Sequence, residues 1–268
     1  MSMSDAGPAH AASATIVERH PEHLSELSSP GVDTVVMVPG IDGTALLFYR
    51  QIPSLAETFN VVAFPLPDDP DATMEGLAND LARLIEEVAG PAGAILVGES
   101  FGGALAMTTA LARPDLVKGL VVLNSFPWVS ERLELWLGPR LLRLVPWAAM
   151  PLARRFTEAR IHSPHTSAED LAEFHERALA IGRLGYLQRL RILWDYDLRD
   201  QLRTVSVPTL LLAADRDELV PSVKWAVFMA ERIPNAEMHV LAGYGHVCLI
   251  THDLDLAKLV IPLWQRVG

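Results

Sequence analysis

One cysteine, Cys248, stands in a chain of 268 residues. An internal disulfide and a cysteine-based zinc site are thereby excluded. The scarcity fits a reducing, cytoplasmic setting. Positive charge is also in short supply: 22 Lys and Arg face 33 Asp and Glu, for a formal net charge of -11. No stripe of Lys or Arg is available to follow a phosphate backbone, so nucleic acid is not an expected partner. No apolar stretch is long and clean enough to span a membrane. The opening MSMSDAGPAHAASATIVERH has no basic start followed by an apolar core, so no signal peptide is expected. Residues 1–13 are small and polar and are expected to be disordered.

Apolar residues, in contrast, make up 50% of the chain, enough for a sizeable core. Short β-branched runs bounded by turn residues fall at Thr34–Val38, Val61–Phe64, Ala94–Val97, Leu120–Leu123, Thr209–Ala213 and Met238–Leu241. Runs without alternation suit strands buried on both faces, as in a parallel sheet. Helical patterns lie between them. Residues 73–89 place Leu77, Leu81, Leu84, Ile85 and Val88 on one face, with Thr73 as N-cap. Residues 103–112, 222–232 and 253–266 read the same way. This alternation predicts an α/β fold with a mostly parallel sheet flanked by helices. From Pro127 to Val205 no strand pattern appears, and helical spacing rich in Leu, Arg and Trp predicts a helical insertion. The expected division is a core of 14–126 and 206–268 with an inserted segment at 127–205.

The stretch VGESFGGAL (97–105) carries the chemistry. Gly98-Glu99-Ser100-Phe101-Gly102 fits G-x-S-x-G between a strand and a helix, the context that motif requires. A sharp strand-to-helix turn crowds the residues two before and two after the serine, so both must be small. A serine hydroxyl is a poor nucleophile until a histidine takes its proton, and the histidine needs a carboxylate to orient it. Two downstream segments supply these at strand ends. LLLAADRDELVP (210–221) offers Asp217, favoured over Asp215, which could instead bond loop backbone. LAGYGHV (241–247) offers His246, favoured over His239 within a strand and His252 at a helix start. The tetrahedral oxyanion needs two N–H groups. Phe101, after the serine, and Ile41, in the Gly-rich loop after the 34–38 strand, are the candidates.

Together PGIDGT (39–44), GESFGG (98–103), DRDELVP (215–221) and GYGH (243–246) resemble the α/β-hydrolase superfamily, over nearly all of the chain from about residue 32. Two departures stand out: Pro39-Gly40 replaces the common His-Gly, and little chain precedes Val32 for the usual leading hairpin. The pair PGIDGT and GESFGG is more narrowly similar to the hydrolase-like region of the plant plastid phytyl ester synthase/diacylglycerol acyltransferase group and its bacterial relatives. That likeness implies a lipophilic acyl group and ester hydrolysis or acyl transfer. A membrane-acyltransferase region like that of those plant proteins, with its H-x4-D motif, is not expected in these residues. His165 and Asp170 have the spacing but read as a surface loop and a helix start. Haloalkane dehalogenases and epoxide hydrolases of the superfamily use aspartate where Ser100 stands. The resemblance makes 127–205 a cap (lid) over the site, whose aromatics (Phe126, Trp128, Trp136, Trp147, Phe156, Trp194, Tyr196) are candidates for an acyl pocket. Phe126 and Trp128, just after a strand, are the best placed. Met107 and Cys248 read as core filler.

The expected activity is a serine hydrolase cleaving an ester or thioester of an apolar small-molecule acyl substrate, without metal or organic cofactor. The alternatives are acyl transfer to an alcohol, C–C or amide hydrolysis, and a non-catalytic binding protein on the same fold. The sequence leaves the oligomeric state open.

Overall fold

In β2 (Thr34–Val38) the side chains alternate between two cores. Val36 and Val38 join one buried cluster, and Val35 and Met37 join another. A strand buried on both faces belongs in the middle of a three-layer sandwich. The computed structural model, which describes residues 14–16, 31–129, 146–149 and 160–267, has that architecture.

The strands are β1 (Ala14–Ile16), β2, β3 (Asn60–Ala63), β4 (Ala94–Glu99), β5 (Val117–Leu123), β6 (Thr209–Ala214) and β7 (Ala236–Leu241). They pair in the order β1-β3-β2-β4-β5-β6-β7, and every pairing is parallel. The helices are α1 (Ile52–Leu55), α2 (Met74–Ala89), α3 (Phe101–Ala112), α4 (Ala168–Arg177), α5 (Arg183–Asp195), α6 (Ser222–Ala230) and α7 (Ala257–Val267). Leu81 and Ile85 of α2, Leu105 of α3 and Met229 of α6 share the first core. Phe48, Leu55 of α1 and Val260 of α7 share the second. This is the α/β-hydrolase fold. Among the described residues, no helix is long and apolar enough to cross a membrane.

Most element bounds match the sequence pattern. Thr73 caps α2 by accepting from the Gly76 N–H at 3.0 Å. Three differences have physical reasons. Helix α3 starts at Phe101, two residues before its apolar run, because the turn at Ser100 feeds straight into it. Helix α7 starts at Ala257, later than the pattern at 253. Distant Gln51 explains the delay: its side-chain amide donates to Leu254 O at 3.0 Å and accepts from the Leu256 N–H at 2.9 Å. Strand β1 was not expected, because three residues carry no periodicity. Its partner is the edge of β3. The disorder expected for residues 1–13, and the aromatics Trp136 and Phe156, lie outside the described residues.

Candidate active site

The elbow between β4 and α3 is as crowded as its glycines imply. A Cβ on Gly98 would fall 2.4 Å from Gly102 O, and one on Gly102 would fall 2.1 Å from Val38 O. Ser100 takes φ 55° and ψ -118°, a region costly for any residue with a side chain. Such an outlier persists only where its surroundings over-determine it. Here the Ser100 N–H donates to Leu123 O at 2.9 Å, and the Ser125 hydroxyl donates to Ser100 O at 2.6 Å.

The turn points the Ser100 Oγ at His246, whose Nε2 lies 3.0 Å away. The opposite ring nitrogen, Nδ1, lies 2.7 Å from Asp217 Oδ2. Asp217 is held by the N–H groups of Leu219 and Val220, each at 2.9 Å, and by the Ser222 hydroxyl. Burial opposes ionisation of Asp217. The His246 hydrogen bond and charge, with Ser222 and Val220, overcome it and hold its carboxyl below the usual range. Burial likewise opposes the imidazolium, and Asp217 and then Glu99 outweigh it, so His246 is raised above the ordinary histidine value. A hydroxyl, an imidazole and a carboxylate in this line can move a proton from Oγ to Nε2.

The rival residues are elsewhere. Asp215 accepts from the Gly243 N–H at 2.7 Å and so shapes the histidine loop. His239 is exposed on edge strand β7. His252 is exposed beside Asp170, at 3.4 Å. Asp170 does start a helix: it forms the capping box of α4 with Ser167. His165 faces Asp253 at 3.2 Å. Met107 and Cys248 are fully buried.

Residues that the sequence pattern did not single out support the arrangement. Asn124, in the left-handed region at φ 47°, donates to His246 O and accepts from the Ala214 N–H, both at 2.8 Å. It thus ties the end of β6 to the histidine loop. The histidine loop is also gripped from the insertion: the Gly245 N–H donates to Ser163 Oγ at 3.0 Å and the Val247 N–H to Ile161 O at 2.7 Å. On the other side Arg189 of α5 is buried, and its guanidinium donates to the carbonyls of Ile41, Pro67 and Asp42 at 2.9, 3.1 and 3.2 Å. The Gly43 N–H closes the same loop onto Gly40 O at 3.1 Å. Beneath that loop lies Glu99, buried, with Oε1 4.0 Å from His246 Nε2.

Above Ser100 opens a cavity of about 240 Å³. Ile41 and Phe101 border it, as do Phe126, Trp128, Leu190, Leu193, Val220 and Trp225. Among the described residues, the polar side chains on its wall are Ser100 and Tyr186. Trp128 is fixed by an edge-on contact with Trp225, centroids 6.0 Å apart, and by Arg199 over its ring at 4.1 Å. Of the other aromatics, Tyr196 is buried against Phe126, and Trp147 packs on Tyr186; neither lines the cavity, and nor does Trp194.

Residues 33–253 match the family model described as alpha/beta hydrolase fold. The chain is 28% identical over 251 residues to the "Putative carbamate hydrolase RutD" of Serratia proteamaculans (strain 568), covering 87% of this chain and 91% of that one. Among solved structures it is similar to a thermophilic esterase from Thermogutta terrifontis with malate bound, at TM-score 0.78 and 21% identity over 88% of this chain and 90% of that one. It is also similar to the enol-lactonase from Burkholderia xenovorans LB400, at TM-score 0.75 and 18% identity over 88% and 92% of the two chains. At such identities these structures speak for the fold alone. The narrower likeness to the phytyl ester synthase group rests on its two motifs and gains nothing from these comparisons.

Proposed function

The chain belongs to the α/β-hydrolase family, and from that premise we propose that it is a serine hydrolase of carboxylic esters or thioesters with an apolar acyl group. The observation that carries this reading is the line of hydrogen bonds from Ser100 through His246 to Asp217 at the floor of an apolar cavity. Ser100 Oγ attacks the acyl carbon while His246 Nε2 takes its proton. Asp217 orients the ring and stabilises the imidazolium. The N–H groups of Phe101 and Ile41 receive the oxyanion. His246 then returns the proton to the leaving group, and water, activated by the same ring, releases the acid from the acyl-enzyme. The described helices of 127–205 act as a cap over the remaining core, since Tyr186, Leu190 and Leu193 of α5 wall the cavity.

The RutD relatives carry carbamate in their name, and a carbamate carbonyl would meet the same nucleophile. The wall of the cavity favours the ester reading, because a small polar substrate would find few partners there. Transfer of the acyl group to an alcohol uses the same residues and differs only in what resolves the acyl-enzyme.

The test is initial rates on p-nitrophenyl esters from acetyl to palmitoyl, with Ser100→Ala in parallel. The cavity, about 240 Å³, is bounded and mostly apolar, so it favours acyl chains that fill it over acetyl and over palmitoyl. Rates should therefore peak at medium chains and vanish in Ser100→Ala. Full activity in that variant overturns the reading. An ester formed from added long-chain alcohol would mark acyl transfer.

A further inference from the structure

Glu99 is the second residue of G-x-S-x-G, where the turn needs no particular side chain. A solvated residue would serve there, yet this carboxyl is buried at the end of the central strand β4. Its position is specific. Glu99 Oε1 lies 4.0 Å from His246 Nε2, the nitrogen that faces Ser100 Oγ at 3.0 Å. Its other oxygen fills the space left by the missing side chain of Gly40: a Cβ there would fall 2.8 Å from Glu99 Oε2. The Gly40 N–H favours the ionised form of the carboxyl. Glu99 therefore touches both the ring that takes the proton and the loop that carries the Ile41 N–H.

We propose that Glu99 is a positioning residue of the hydrolytic site, a second carboxylate that stabilises the His246 imidazolium from its Nε2 side and anchors the oxyanion loop at Gly40. The inference rests on the serine-hydrolase reading. His246 lies between two carboxylates, with Asp217 2.7 Å from Nδ1 and Glu99 across the ring. When Ser100 gives up its proton with Glu99 ionised, the new positive charge forms beside an anion already held in place, and no reorganisation is needed. The ionisable groups facing Glu99 are His246, Asp42, Asp217 and Cys248. Burial pushes its carboxyl up to about 7; the His246 charge works against this, and Asp42 and Asp217 add to it. Oε1 and Nε2 stand 4.0 Å apart, so the ionisation of each depends on the charge of the other.

The experiment is a pH profile of kcat and KM on a medium-chain p-nitrophenyl ester for wild type, Glu99→Gln and Ser100→Ala, with the His246 ring followed by NMR. Glutamine keeps an acceptor for the Gly40 N–H and removes only the charge. Glu99 is not among the residues that line the cavity, so KM should hold while kcat falls about tenfold. The acidic limb of the profile should move about one pH unit lower, and the ring titration should move with it. An unchanged profile and ring titration, or a loss confined to KM, overturns the proposal. Should Glu99→Gln fail to fold, the wild-type ring decides: two inflections support the coupling, and a single-step titration overturns it. Activity retained by Ser100→Ala would instead refute the serine reading, and the ring titration would still judge the Glu99 contact.

Discussion

Acidifying the protein should loosen the support of the histidine loop through one buried ring. His162 is 6% exposed, and neither ring nitrogen has a hydrogen-bond partner among the described residues. It packs edge-on to Phe174, centroids 4.6 Å apart. Burial, with a smaller contribution from His175, lowers it from 6.5 to about 4. The unfolded chain therefore binds a proton near pH 6.5, and the folded chain does not until about pH 4. Between those values the unfolded state holds more protons, so stability falls as the pH drops. The whole window is worth about 3 kcal/mol, and about 2 kcal/mol of it is lost by pH 5. The assay is urea unfolding of wild type and His162→Leu, followed by tryptophan fluorescence at pH 7 and pH 5. Leucine fits the apolar surroundings and cannot take up a proton. The difference in stability between the two proteins should shift by about 2 kcal/mol in favour of leucine at pH 5. Taking that difference cancels every carboxylate the two proteins share. An equal difference at both pH values would refute the reasoning. Activity is no substitute readout, because protonation of His246 changes it independently of His162.

Two more expectations follow from buried side chains. Arg189→Met keeps the apolar stem and removes the donors to Ile41, Asp42 and Pro67. kcat on esters should fall by about a hundredfold with KM little changed, the behaviour of a disturbed oxyanion hole; a loss carried by KM would make Arg189 a determinant of the cavity instead. Cys248 is fully buried, and burial, then Glu99, pushes its thiol pKa up. Ellman's reagent should leave the native thiol untouched and react with it once the chain is denatured; fast native labelling would contradict that burial.

The parts of the site legible in the sequence are those governed by short-range geometry. Gly98 and Gly102 must be small because their Cβ atoms would meet backbone within a few residues of the turn or across one strand. Asp217 was separable from Asp215 by its place in D-x-x-V-P, and the two do divide, Asp217 to His246 and Asp215 to the Gly243 N–H. What stayed hidden depends on distant partners. Arg189 reads as one more cation on a Leu-rich helix, and its partners lie about 120 to 150 positions away. Glu99 reads as a neutral choice within a motif, because only packing brings Gly40 and His246 against it. In α5, one face contacts the loop after β2 and another walls the cavity, which blurs the amphipathic pattern that would have marked Leu190 and Leu193. The late start of α7 is a long-range effect of the same kind, set by Gln51.

The pairing of Ser100 with His246 spans 146 positions. At roughly 5–20 residues per second of synthesis, the ribosome makes the serine many seconds before the base. The elbow hangs on β4, which β2 and β5 flank, so its hydroxyl can be in place early, with no acceptor for its proton. The base arrives after β7, the last strand to be made and an edge of the sheet. On the serine-hydrolase reading proposed above, a growing chain therefore carries a dormant serine, and reactivity toward acyl groups begins only when the outermost strand has docked.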